Sequence, residues 1–154
     1  MDDKVMIGDY LGTIEEFLPG NEVTCGVLDL GQGEPARALP VTQILPVSSS
    51  YFDYEAKYTP GATEEITPAE ISAELTAKVQ RIAVQVHEIT GCRIWSRSDF
   101  IVVGNEPVWI EVNTIPGMTQ TSLYPQAAKA AGISYGKLVE LFVESAIARH
   151  AKHW

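Results

Sequence analysis

The chain has 154 residues, of which 45% are hydrophobic, and 20 Asp+Glu outweigh 11 Lys+Arg for a formal net charge of −9. That apolar fraction excludes a solvated, disordered coil, and the length suffices for one or two small cores. The acidic balance excludes nonspecific nucleic-acid binding, which draws on clustered Lys and Arg, so an anionic ligand would need a metal ion as mediator.

Met1-Asp2-Asp3-Lys4 is not a basic start before an apolar run, so no secretory leader is expected and a cytoplasmic location follows. The segment to about residue 47 reads as an antiparallel meander: a short strand over Thr13–Phe17, a turn at Leu18–Asn21, a strand over Glu22–Leu28, a turn at Gly31–Pro35, and a strand region from Ala36 to Val47 whose prolines mark it as edge or loop. From Ser48 to Thr67 no period holds. A structureless stretch of this length is usually a lid or binding loop, and the aromatic run Tyr51 to Tyr58 argues against a disordered connector.

Thr67-Pro68-Ala69-Glu70 reads as a capping box with proline at the first helical position, opening a helix to Thr90. Ile71, Leu75, Val79, Ile82, Val86 and Ile89 form its apolar stripe, and Gly91 ends it. Phe100–Val103 and Val108–Val112, separated by Gly104–Pro107, predict a β-hairpin. A short helix follows from Ser122 to Ala131, stopped by Gly132, and Ser134 caps a last helix to about Arg149 with Leu138, Phe142 and Ser145 on one face. Glu140 and Glu144 interrupt its apolar stretch well short of the ~20 residues of a membrane span, so no membrane partner is expected. Cys25 and Cys92 have neither metal nor redox spacing and read as reduced thiols, and His87, His150 and His153 read as surface or packing residues.

Chemistry concentrates on the hairpin. Glu111 and Asn113, two apart on a strand, share a face. Asp99 joins them only if paired positions sum to an even number, as in Asp99–Glu111 or Asp99–Asn113, which a three-residue loop or a bulge would supply. The opposite face then holds Phe100, Val102, Val108, Ile110 and Val112 against the long helix. Two carboxylates ~4 Å apart repel by about 4 kcal/mol at an effective dielectric near 20, so a shared proton or a divalent cation must offset them. The Asn113 carbonyl favours Mg²⁺ or Mn²⁺, while spacing alone equally allows a surface hairpin with solvated acids. Downstream, Asn113 to Leu123 runs through Gly117 into a helix N-terminus, whose amides and Ser122 hydroxyl suit an anion, or simply a capped helix.

These residues carry a resemblance. Trp109-Ile110-Glu111-Val112-Asn113-Thr114-Ile115-Pro116-Gly117-Met118-Thr119, continued by Thr121–Pro125 and Ala130–Ser134, resembles the C-terminal signature of D-alanine–D-alanine ligases, ATP-grasp enzymes of cell-wall synthesis. Phe52–Tyr58, Arg97-Ser98-Asp99 and Glu15–Thr24 resemble the family in the same order, and the likeness covers about residues 13 to 147. It implies an α+β fold, one C-terminal ATP-grasp domain over residues 1–154, with an antiparallel sheet and flanking helices, an omega-loop lid at about 48–66 and C-terminal helices at about 122–150.

The resemblance also implies roles. Asp99, Glu111 and Asn113 would hold Mg²⁺ or Mn²⁺, and Glu15, Glu16, Leu18, Glu22 and Ile110 would surround the adenine and ribose of ATP. Arg97 and the Gly117 amide would stabilise charge as D-alanyl phosphate forms and is attacked. Ser122 and Leu123 would receive the carboxylate of the second D-alanine, and Lys57 and Tyr58 would lie on the lid, the tyrosine going with D-alanine rather than D-lactate. Ser98 stands where members usually carry an aliphatic residue. Nothing in the chain resembles the family's glycine-rich loop, phosphate-binding lysines or N-terminal domain, so those portions are expected as partners, and a lone chain should not turn over; an oligomer is compatible with this. The alternatives are an ATP-grasp ligase of other specificity, or a noncatalytic module binding metal or nucleotide.

Overall fold

A computed structural model describes residues 4–7, 10–13, 16–31, 33–46 and 63–151. Among the described residues the strands are β1 (Lys4–Ile7), β2 (Tyr10–Thr13), β3 (Asn21–Asp29), β4 (Arg37–Ala38), β5 (Thr42–Pro46), β6 (Thr63–Ile66), β7 (Ile94–Val103) and β8 (Glu106–Asn113), and the helices are α1 (Ala73–Ile89), α2 (Leu123–Ala130) and α3 (Tyr135–His150). β1 and β2 form a separate antiparallel ribbon; the main sheet runs β6-β5-β3-β7-β8, all antiparallel, with β4 also on β3.

The backbone of the sheet is the β3–β7 pair, in register from Asn21 opposite Val102 to Asp29 opposite Ile94. Side chains alternate across it. On one face Val23, Cys25, Val27, Phe100 and Val102 pack with Val41 and with Leu75, Val79 and Ala83 of α1. On the other face, Leu28 packs with Leu39, Tyr124, Ala127, Ala128, Leu138 and Phe142, with Trp95 against this second core. Trp95 stacks on Phe142 at 4.3 Å between ring centroids. Gly26 makes this possible: a Cβ there would lie 2.9 Å from the Tyr124 ring, whose hydroxyl donates to the Val27 carbonyl at 2.9 Å. The helices α2 and α3 thus cover one end of the face that bears Arg97 and Asp99, and the other end stays open.

Several expected boundaries move. Of the strand expected over Thr13–Phe17, Thr13 ends β2, residues 14–15 lie outside the described residues and Glu16 and Phe17 are in no strand, and the strand region after Ala36 is split into β4 and β5 around Pro40. Helix α1 begins at Ala73, not at Thr67. The Thr67 hydroxyl is engaged with Thr42 Oγ1 at 2.7 Å and the Ala69 amide donates to the Val41 carbonyl, so this stretch lies along the sheet. Ser72 is the N-cap instead, accepting from the Leu75 amide at 3.2 Å. The inward stripe of α1 is Leu75, Val79, Ala83 and His87, and Ile89 is exposed. The last residues of the expected lid, Thr63–Ile66, form β6 against β5, and residues 47–62 lie outside the described residues. Helices α2 and α3 fall where periodicity places them, and Ser134 caps α3 by accepting from the Lys137 amide.

Candidate active site

The hairpin register decides the site. β7 and β8 are joined by the two-residue turn Gly104-Asn105, with Gly104 at φ +63°. Pairing begins with an odd sum, Val103 opposite Glu106, and continues so to Phe100 opposite Trp109. A bulge then inserts Ile110 as an extra residue, and the next pairs are Asp99–Glu111 and Arg97–Asn113. The bulge places Asp99, Glu111 and Asn113 on one face. It also corrects the expected apolar face of β8: Val108 lies opposite Ile101 on the open face and Ile110 lines a cavity, while Trp109 and Pro107 oppose Phe100 and Val102.

That cavity has a volume of about 480 Å³ and is lined by Glu16, Phe17, Leu18, Glu22, Asp99, Phe100, Ile101, Ile110 and Glu111. Of the residues singled out in the sequence, Glu16, Leu18, Glu22, Ile110, Asp99 and Glu111 therefore converge on one space, with Asn113 two ladder pairs beyond Glu111 on the same face. Glu15, Lys57 and Tyr58 carry no described side chain. Gly117, Ser122 and Leu123 do not line the cavity; they form a separate turn at the start of α2. There the Ser122 hydroxyl, 3.0 Å from where a Gly117 Cβ would sit, accepts from the Thr119 amide at 3.1 Å and meets Thr119 Oγ1 at 2.8 Å. It does not cap α2, so the helix-end amides are not closed off by their own N-cap side chain.

Arg97 and Asp99 form a forked ion pair: Nε donates to Oδ1 at 2.9 Å and an Nη to Oδ2 at 2.8 Å. Burial opposes the charge of Arg97, but the Asp99 hydrogen bonds and the charges of Asp99, Glu111 and Glu22 prevail and hold the guanidinium above its ordinary pKa. Thr24, buried on β3 opposite Asp99, donates to Oδ1 at 2.6 Å. Sequence reading missed Thr24, Phe17 and Ile101; Thr24 follows from parity alone once the β3–β7 register is known.

The donor set tests which cation fits. Among the described residues no three His, Cys, Asp or Glu side chains form a metal cage. Asp99, Glu111 and Asn113 offer two carboxylates and one amide oxygen, which suits a hard cation that completes its shell with water and phosphate oxygens. A guanidinium already supplies positive charge at Asp99.

Comparison with known proteins places this geometry in context. Residues 3–144 match the family described as D-ala D-ala ligase C-terminus. A D-alanine–D-alanine ligase of Halalkalibacterium halodurans is 53% identical over 132 residues, 84% of this chain and 42% of the relative. Among solved structures, the D-alanine–D-alanine ligase from Bacillus anthracis complexed with ATP superposes with a TM-score of 0.72 at 30% identity, covering 91% of this chain and 42% of that one. The VanG D-Ala:D-Ser ligase from Enterococcus faecalis gives 0.67 at 35% identity, covering 83% and 36%. The chain thus spans less than half the length of the proteins it matches.

Proposed function

The chain belongs to the D-Ala–D-Ala ligase C-terminus family, and from that premise we propose that it forms the ATP- and metal-binding part of a ligase that joins two D-alanines through D-alanyl phosphate. The observation that carries this reading is the convergence of Asp99 and Glu111, direct ladder partners, with Glu16, Leu18, Glu22 and Ile110 on one cavity. Leu18, Ile101 and Ile110 offer apolar walls to a base, and Glu16 and Glu22 accept hydrogen bonds from ribose hydroxyls or the base amine. Asp99, Glu111 and Asn113 would hold Mg²⁺ or Mn²⁺, which when bound neutralises phosphate charge that this acidic face would otherwise repel.

Arg97 has the chemistry for the next role. Its planar fork binds a carboxylate now and fits a phosphoryl group or a developing oxyanion equally well. Transferring that fork from Asp99 to the reacting group exposes Asp99 to a cation as Arg97 reaches the charge it stabilises. The amides at the start of α2, which the Ser122 side chain does not cap, suit the carboxylate of the acceptor D-alanine, whose amine attacks the acyl phosphate. The remaining length of a full-length ligase would supply the opposite jaw of the nucleotide clamp and the site for the first D-alanine. A cytoplasmic location goes with this reading; among the described residues no helix is long and apolar enough to cross a membrane.

Calorimetry with Mg²⁺–ADP tests the proposal. Wild type is expected to release heat of binding and Glu111→Gln to lose at least ~10-fold in affinity, in line with removal of a directly ligating charge. Absence of heat in both proteins overturns the metal–nucleotide assignment and leaves a noncatalytic fragment. The likeness to a D-Ala:D-Ser ligase supports a second reading with the same ATP chemistry and a different acceptor amine; competition of D-serine with D-alanine in a ligase containing this segment separates the two.

A further inference from the structure

We propose that Thr24 is a positioning residue that selects which oxygen of Asp99 meets a divalent cation. This rests on Asp99 being a metal ligand, as argued above. Thr24 is only 2% exposed and is held in the ladder from both sides, opposite Asp99 on β7 and Thr42 on β5. Its Oγ1 donates to Asp99 Oδ1 at 2.6 Å, the shortest of the three hydrogen bonds on that carboxylate among the described residues; Arg97 supplies the others, Nε to Oδ1 and an Nη to Oδ2.

The two oxygens are therefore held differently. Arg97 sits on a long, flexible side chain and can leave, whereas Thr24 is fixed in the middle of the sheet. Once Arg97 turns to a phosphoryl group, Oδ2 loses its described donor and Oδ1 keeps Thr24. Oδ2 then has both lone pairs free while Oδ1 keeps one engaged, so a cation meets Oδ2 first and the bond on Oδ1 holds the carboxylate plane. Thr24 makes Asp99 a one-oxygen ligand with a fixed direction, the part that outer hydrogen-bond partners play at metal sites generally. The hydroxyl also lies 3.2 Å from the Ser98 carbonyl, so it retains an acceptor if Asp99 moves.

The test is Mn²⁺ binding to the 154-residue chain, followed by loss of the free-ion electron paramagnetic resonance signal. Thr24→Val keeps the shape and removes the donor, and is expected to weaken Mn²⁺ binding by ~10–100-fold, while Thr24→Ser restores it to within about threefold of wild type. Melting in chelator should separate the three proteins by only a few degrees, which distinguishes positioning from folding. Equal affinity of wild type and Thr24→Val overturns this inference and leaves the metal assignment standing; no Mn²⁺ binding by wild type overturns both. Should Thr24→Val not fold, wild type alone decides. With isotope-labelled aspartate, Mg²⁺ must widen the infrared splitting of the carboxylate band that Asp99→Asn removes, as one-oxygen coordination does, and narrowing overturns the proposal.

Discussion

Asp99 and Glu111 face one another across the β7–β8 ladder because Ile110 is an extra residue in β8. Had the pairing set by the Gly104-Asn105 turn continued unbroken, Asp99 would oppose Ile110, and Glu111 would point into the core with Ser98. One inserted residue therefore separates a carboxylate pair on an open cavity from a buried, unpaired acid, and it brings the Ile110 side chain to the same cavity.

The double use of Arg97 makes opposite effects expected from one substitution. In a ligase containing this segment, Arg97→Ala should lower kcat by about 10²–10³, as removal of an oxyanion donor does; a loss below tenfold rejects that role. In the isolated chain the same change removes the cation competing for Asp99, so Mn²⁺ affinity should rise. Loss of the forked pair, with side chains 17% and 13% exposed, should cost about 1–3 kcal/mol in chemical denaturation.

Gly26 is the point where α2 meets the sheet. Gly26→Ala would place a methyl group 2.9 Å from the Tyr124 ring and 3.1 Å from Leu39. Overpacking of this kind should cost about 1–3 kcal/mol. A urea midpoint unchanged from wild type would mean that α2 yields freely.

His87 gives the fold a pH dependence. It is buried at the end of α1, with Nδ1 2.7 Å from Ser96 Oγ and Nε2 3.6 Å from Asp29 Oδ2, which is itself paired with Arg149 at 2.8 Å. Burial lowers its pKa below the ordinary 6.5, with Arg149 acting the same way, and the opposing pull of Asp29 and Glu88 does not restore it. The unfolded chain then binds the proton more readily than the folded one. Stability from this residue is complete above the ordinary value and declines as pH falls through it toward the folded value. Melting temperature should fall between about pH 7.5 and about pH 5.5, and by less in His87→Gln. Equal slopes in the two proteins would remove His87 from the account.

Ser98 is buried opposite Cys25 on the α1 face, and its hydroxyl has no hydrogen-bond partner among the described residues. Ser98→Ala removes that unpaired group for the loss of one small atom. The variant should be as stable as wild type or more stable by up to about 1 kcal/mol, with Mn²⁺ binding unchanged. Clear destabilisation would show that the hydroxyl has a partner after all.

The hairpin chemistry was legible because strand alternation ties Glu111 to Asn113 without any knowledge of the fold, and parity reduces the position of Asp99 to one question. The bulge that answers it leaves no mark in composition, so alternation alone puts Val108 and Ile110 on the core face. Thr67-Pro68-Ala69-Glu70 has the capping pattern, yet tertiary pairing with Thr42 and Val41 draws it along the sheet, and only the register of β5 could have revealed that. Thr24 was invisible for the same reason: its partner is 75 positions away. Ile94, a β-branched residue at φ +70°, closes the connection from α1 to β7 where sequence rules would ask for glycine.

The sheet has a hydrophobic core on each side, and Arg97, Asp99 and Thr24 grow from the two strands pressed between them, whereas Glu16, Phe17 and Leu18 meet the cavity from backbone in no strand or helix. The groups assigned to charge thus stand on bedrock, and the wall assigned to the base is shared between that bedrock, at Glu22, Ile101 and Ile110, and irregular backbone at Glu16 and Leu18. Under the proposed function, one lip of the binding space is hung from a loop while its charged floor is rooted in the sheet.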